Sequence, residues 1–107
     1  MERGTVVETR KWRQESVDYV EASVTAKPGE TLVGSTVTVS IKKPGVADTW
    51  LPAGWVGTPT TTGIARTSSL VALTAAAYPQ GDYTVRVKVA VGGESHIHEC
   101  YYAKVTA

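Results

Sequence analysis

Two stretches of this chain alternate apolar and polar side chains without a break, and they constrain its fold more than any other feature. In residues 36–41 (TVTVSI), Val37, Val39 and Ile41 fall on one side, with Thr36, Thr38 and Ser40 on the other. In residues 82–91 (DYTVRVKVAV), Tyr83, Val85, Val87, Val89 and Val91 face one way and Thr84, Arg86 and Lys88 the other. A period of two residues belongs to a strand with one buried face. The composition agrees: 16 Val and 15 Thr make 31 of 107 residues, a β-branched excess suited to a pleated, half-buried surface. A parallel α/β fold needs intervening amphipathic helices of about ten residues or more, and none is present. At 107 residues there is room for one core and one domain.

Around these two anchors the chain reads as short strands punctuated by turn residues. Residues 5–12 (TVVETRKW) form an irregular first strand. Residues 15–24 (ESVDYVEASV) form a second, with Val17 and Tyr19 on one side and Ser16, Asp18 and Val20 on the other. Lys27, Pro28, Gly29 and Glu30 supply a turn, and Lys42, Lys43, Pro44 and Gly45 end the 36–41 strand. Residues 46–63 are the loosest part, interrupted by Pro52, Gly54, Gly57 and Pro59; a short edge strand is placed at 55–60, because proline in a run belongs at a sheet edge. Residues 66–73 give another strand, and 74–78 (TAAAY) a single turn, too short to hold a helix alone. Residues 94–105 return as the last strand. Seven strands at this spacing predict an all-β, antiparallel sandwich. Residues 1–14 stand apart as a basic arm or edge strand, with the sandwich domain spanning 15–107.

The register of the last hairpin follows from burial costs. With Gly92-Gly93 as a two-residue loop, Val91 pairs with Glu94, Val89 with His96, Val87 with His98, Val85 with Cys100 and Tyr83 with Tyr102. The opposite face pairs Arg86 with Glu99 and Lys88 with Ile97. A three-residue loop would slide Glu99 onto the valine face. An unpaired carboxylate there costs several kcal/mol, against far less for a neutral imidazole. The two-residue loop is therefore preferred.

The most specific short pattern is Tyr78-Pro79-Gln80-Gly81-Asp82-Tyr83-Thr84-Val85. A glycine-containing loop followed by a tyrosine at the start of a long alternating strand is how immunoglobulin-like domains begin their F strand, the tyrosine hydroxyl bonding back to the corner backbone. Tyr83 is then the corner tyrosine, and Val85 stands where disulfide-bonded members carry a cysteine. Cys100 is the single cysteine, so no intramolecular disulfide or cysteine-rich zinc site can form and packing alone must hold the core.

From about Glu15 onward the chain resembles the small immunoglobulin-like virion proteins of tailed bacteriophages and prophages, most of all the fibre-to-tail adaptor group. The resemblance rests on ESVDYVEASV, the GETLVGSTVTVS passage, the Trp/Pro/Gly-rich WLPAGW, the pair SSLVALTAAAYPQGDYTVRVKV, and the hairpin across GGES. It implies an immunoglobulin-like sandwich that builds a virion, with no catalysis and no cofactor.

Among residues able to do chemistry, His96, His98 and Cys100 share one strand face at i, i+2 and i+4. That face is the valine face, which offers no further carboxylate or histidine, so they read as packed or rim residues and no metal is expected. Cys100 with His98 lacks a pocket, an orienting acid and oxyanion donors. The acidic residues are scattered, and the glycines mark turns outside any phosphate-binding context. Enzymatic activity is not expected. Trp50 and Trp55, with Leu51 between them, lie in a segment expected to be irregular and at the domain's end or edge. Trp55 is assigned to the core and Trp50 with Leu51 to a contact surface. Arg10, Lys11, Trp12 and Arg13 form a second candidate interface. The charged arm fits either a neighbouring subunit or an edge strand guarded against aggregation.

A net charge of +1 gives no case for nucleic acid or an acidic membrane surface. No apolar run is of membrane-spanning length, and the polar start MERGTVVETRKWRQ lacks the apolar stretch of a signal peptide, so synthesis in the host cytoplasm without export by the general pathway is expected. The resemblance, with no competing site in the sequence, implies a tail or fibre adaptor or connector-type component of the virion, docking on other virion proteins and forming a homo-oligomer in the particle. The alternative is a capsid or tail decoration, or a host-surface carbohydrate-binding module using Trp50, Trp55, Tyr101 and Tyr102 as stacking platforms.

Overall fold

The computed structural model describes residues 8–107, and within them every regular element is a strand. In chain order these are β1 (Thr9–Arg13), β2 (Val17–Asp18), β3 (Glu21–Thr25), β4 (Thr36–Lys42), β5 (Trp50–Trp55), β6 (Thr62–Thr67), β7 (Val71–Ala72), β8 (Gly81–Val91) and β9 (Glu94–Thr106). Seven of them hydrogen-bond in the order β1-β9-β8-β4-β5-β6-β3, and β2 pairs with β7 in a small separate ladder. The long sheet folds over, so that β3 and β6 pack across a core from β4, β8 and β9. The result is an all-β, sandwich-like fold without a disulfide. It is not wholly antiparallel: β1 runs parallel to β9, from Thr9 opposite Tyr102 to Arg13 opposite Thr106.

The alternating strands supply the core. Val37 and Val39 of β4 and Tyr83, Val85, Val87 and Val89 of β8 are buried, facing Val20, Ala22, Val24 and Ala65 from the other layer. Two Pro-Gly turns shape the loops on either side of β4. Glu30 donates its amide to Lys27 O at 3.0 Å, and Val46 to Lys43 O at 3.2 Å. In each turn proline takes the second position and a glycine of positive φ the third, the arrangement of a type II turn.

Several strands lie elsewhere than the sequence predicts. The run 15–24 is broken at Tyr19 and Val20: its start pairs with β7 and its end with β6. The expected edge strand at 55–60 is instead β5, so WLPAGW is regular structure. Its first half, Trp50, Leu51 and Pro52, pairs with β4; its second half, Ala53, Gly54 and Trp55, pairs with β6. Pro52 sits at the handover between the two layers, its carbonyl accepting from the Ser68 amide at 2.9 Å, so its missing N–H falls at the end of the β5–β6 pairing. The expected strand 66–73 divides between the end of β6 and β7. Of the first strand expected at 5–12, residues 5–7 lie outside the described residues, and Thr9–Arg13 joins the sheet as an end strand.

The β8–β9 hairpin keeps the two-residue loop. Gly92 and Gly93 both have positive φ (59° and 85°), as a type I′ turn requires. Pairing runs as expected from Val91–Glu94 to Arg86–Glu99 and then shifts by one residue. Val85 faces Tyr101 instead of Cys100, and Tyr83 faces Ala103 instead of Tyr102. The bulge at Cys100 has a physical reason. An unbroken ladder would turn Tyr102 and Lys104 toward the core, whereas the extra residue turns in Tyr101, Ala103 and Val105, all buried.

Candidate docking site

Because the sheet curls over, its two end strands, β1 and β3, flank one opening in the sandwich wall. Tyr101 lies between them. It is presented inward by the Cys100 bulge, and its hydroxyl donates to the Glu21 carbonyl on β3 at 3.0 Å. On β1, alternation turns Arg10 and Trp12 toward it. The Arg10 guanidinium lies 3.9 Å from the Tyr101 ring centroid, and Trp12 meets the ring edge-on, with centroids 6.1 Å apart and planes at 80°. On the far wall Arg66 Nε donates to Glu21 Oε2 at 2.6 Å and its guanidinium covers Tyr19, 4.9 Å from the ring centroid. These side chains line a groove of about 510 Å³, closed at one end by Ser16, Asp18, Val71 and Leu73 around the β2–β7 ladder.

Burial pushes the Tyr101 phenol up to about 12, only partly offset by Arg10. It therefore stays neutral and holds the two walls together. Glu8 Oε1 accepts from Arg10 Nη2 at 3.2 Å. By contrast, Lys11, Arg13 and the adjacent Lys104 have no carboxylate within salt-bridge distance among the described residues. The groove offers fixed charges, an aromatic floor and a strand edge: equipment for holding a chain.

Of the residues singled out in the sequence, Arg10, Lys11, Trp12 and Arg13 all line this groove, with Trp12 half-buried against the core. Trp50 and Leu51 are not brought to them; β9, β8 and β4 intervene. Leu51 lies opposite buried Val39, and Trp50, opposite Ser40, lies on the other face under the Lys88 ammonium, 4.6 Å from its ring centroid. Trp55 packs against the core, donating Nε1 to Ser35 O at 3.1 Å and contacting its hydroxyl at 3.2 Å. Tyr83 donates to Pro79 O at 2.6 Å, closing the corner before β8, and Val85 is fully buried.

The four aromatic residues considered as a stacking platform do not share a surface. Tyr101 is buried and Trp55 faces inward, while Trp50 and Tyr102 are separated by two intervening strands. His96 and His98 border a different groove, beside Leu32 and Val89, and Glu94 is 3.6 Å from His96. Among the described residues no three His, Cys, Asp or Glu side chains converge as metal ligands. Burial raises the Cys100 thiol to about 11, so it is a poor nucleophile at neutral pH.

Sequence reasoning missed Glu21 and Arg66 as groove residues and took Tyr101 for an exposed ring. The available signal was parity: Tyr101, Ala103 and Val105 are odd-numbered, whereas the residues facing Val87 and Val89 are even. Such a switch of apolar parity within one strand marks a bulge. No protein-family model matches the chain, and no curated protein matches it either.

Proposed function

We propose that the chain is a non-enzymatic structural component of a tailed-phage virion, of the tail or fibre adaptor or connector type, acting by docking on other proteins of the particle. In this reading it is made in the host cytoplasm, enters the virion in several copies and contacts tail, connector, capsid or fibre proteins. The sequence resemblance supplies the setting. The observation that carries the docking role is the groove between β1 and β3, where a two-layer frame presents cations and a strand edge with no neighbour among the described residues. Clefts of roughly 300–1,000 Å³ are large enough to hold a ligand group or part of a chain.

A carbohydrate-binding role draws less support, because the rings it would need are buried, inward-facing or separated. Quantitative mass spectrometry of purified particles tests the proposal. A fixed copy number matching a symmetry of the tail or connector is expected; absence of the chain from particles refutes it.

A further inference from the structure

Among the described residues, strand β1 has one side in the sheet and one side open. The Tyr102 amide donates to the Glu8 carbonyl, and the Gln14 amide to the Thr106 carbonyl. In a parallel ladder alternate residues turn their backbone groups to the neighbour. Residues 8, 10, 12 and 14 therefore serve β9, and Thr9, Lys11 and Arg13 point their amides away from it. The Arg13 carbonyl is taken by the Ser16 amide at 3.3 Å, so the turn to β2 stops the edge there. The amides of Thr9, Lys11 and Arg13 and the carbonyls of Thr9 and Lys11 have no backbone partner among the described residues.

The charge along this edge is one-sided. Lys11 lies directly opposite Lys104, whose other ladder neighbour is Asp82 on β8, and Arg13 lies opposite Thr106. Like charges side by side on adjacent strands disfavour the pair, and neither lysine nor Arg13 has a described carboxylate within salt-bridge distance. Within the groove Glu21 is occupied by Arg66, and Asp18 accepts the Tyr19 amide at 2.8 Å. The unpaired charge at the open edge is therefore that of Lys11 and Arg13, and it is positive.

We propose that β1 takes up an added strand from an acidic, extended segment of a partner protein, seated along the edge with its carboxylates against Lys11 and Arg13. The inference rests on the docking reading and names its partner chemistry. Backbone bonds to Thr9, Lys11 and Arg13 supply the pairing, as in other strand additions to exposed sheet edges. The cations select acidic over basic chains and raise the rate of encounter.

The test uses the full chain, isotopically labelled, with two probe peptides: one alternating valine and glutamate, the other valine and lysine. The glutamate peptide is expected to slow hydrogen exchange of the Lys11 and Arg13 amides and to bind less tightly as salt rises. In a K11E/R13E double variant, at exposed positions, binding is expected to weaken by about tenfold or more. Equal binding of the lysine peptide, protection confined to other strands, or no protection at all overturns the proposal. Particle incorporation is scored in parallel. If the wild-type chain is found in particles while the glutamate peptide leaves Lys11 and Arg13 unprotected, strand addition fails and docking stands. If the chain is absent from particles, the docking reading itself fails.

Discussion

Replacing Asp48 with alanine removes the anion at the centre of the least exposed ion pair in the described structure. Its Oδ2 accepts from Arg86 Nη1 at 2.5 Å and its Oδ1 from the Ser40 hydroxyl at 2.7 Å. Ser40 is fully buried, and the side chains of Arg86 and Asp48 are 22% and 16% exposed. A hydrogen bond to a charged group contributes about 1.5–3 kcal/mol, and partial exposure favours the lower half of that range. Leaving the Ser40 hydroxyl without its acceptor adds about 1 kcal/mol. Arg86 Nε already has no partner, so the guanidinium is left with its polar groups less satisfied in the variant. The expected loss is about 2–3 kcal/mol, or a fall in Tm of roughly 8–20 °C for a domain of this size. Urea denaturation followed by tryptophan fluorescence measures it, and a double-mutant cycle with Arg86→Met isolates a coupling of about 1–2 kcal/mol. Glu99, the ladder partner of Arg86, is the control: E99Q should change stability by less than about 0.5 kcal/mol. A loss below about 0.5 kcal/mol for D48A, or coupling indistinguishable from zero, would refute the reasoning.

Four further outcomes are expected. Tyr83→Phe removes the 2.6 Å bond to Pro79 O and should cost about 1–2 kcal/mol in chemical denaturation, with the fold retained by NMR. In Gly63→Ala the new Cβ would lie 2.8 Å from Trp55 Cε3, a clash that should cost about 1–3 kcal/mol and alter the near-UV circular dichroism of Trp55. Glu15 has φ +69°, so Glu15→Gly should be neutral or stabilise by up to about 1 kcal/mol, whereas loss of stability would contradict the strain argument. Two groups give pH dependences that single variants can isolate. Burial, then His96 and Lys27, holds His98 below its ordinary 6.5, so the unfolded chain binds the extra proton and stability falls as pH drops through that value. Cys100 is raised from 9.0 to about 11, so the unfolded chain releases its proton first and stability falls between those values as pH rises; unfolding of H98Q and C100A across pH checks both slopes.

The fold was legible where side-chain period and turn chemistry carried it. TVTVSI, DYTVRVKVAV, the two Pro-Gly turns and Gly92-Gly93 each specify local geometry through their own residues. Elements decided by distant partners were not legible. Pro52 argued for an edge, and only the handover of β5 from β4 to β6 explains its position between two strands. Arg86 has Glu99 as its neighbour in the ladder, yet its guanidinium turns to Asp48, whose approach depends on the loop after β4. For the candidate site, the cationic run from Arg10 to Arg13 was visible, but the opposite wall was not. Nothing local to Glu21 or Arg66 announces that they face β1 across a curled sheet.

The passage of β5 between layers has a consequence for how the molecule comes apart. Its first three residues are laced to β4 and its last three to β6, so the same short segment is a member of both walls. Loosening one wall therefore strips β5 of half its pairing. Heating or denaturant should therefore take the protein apart in a single cooperative step, without one wall melting before the other.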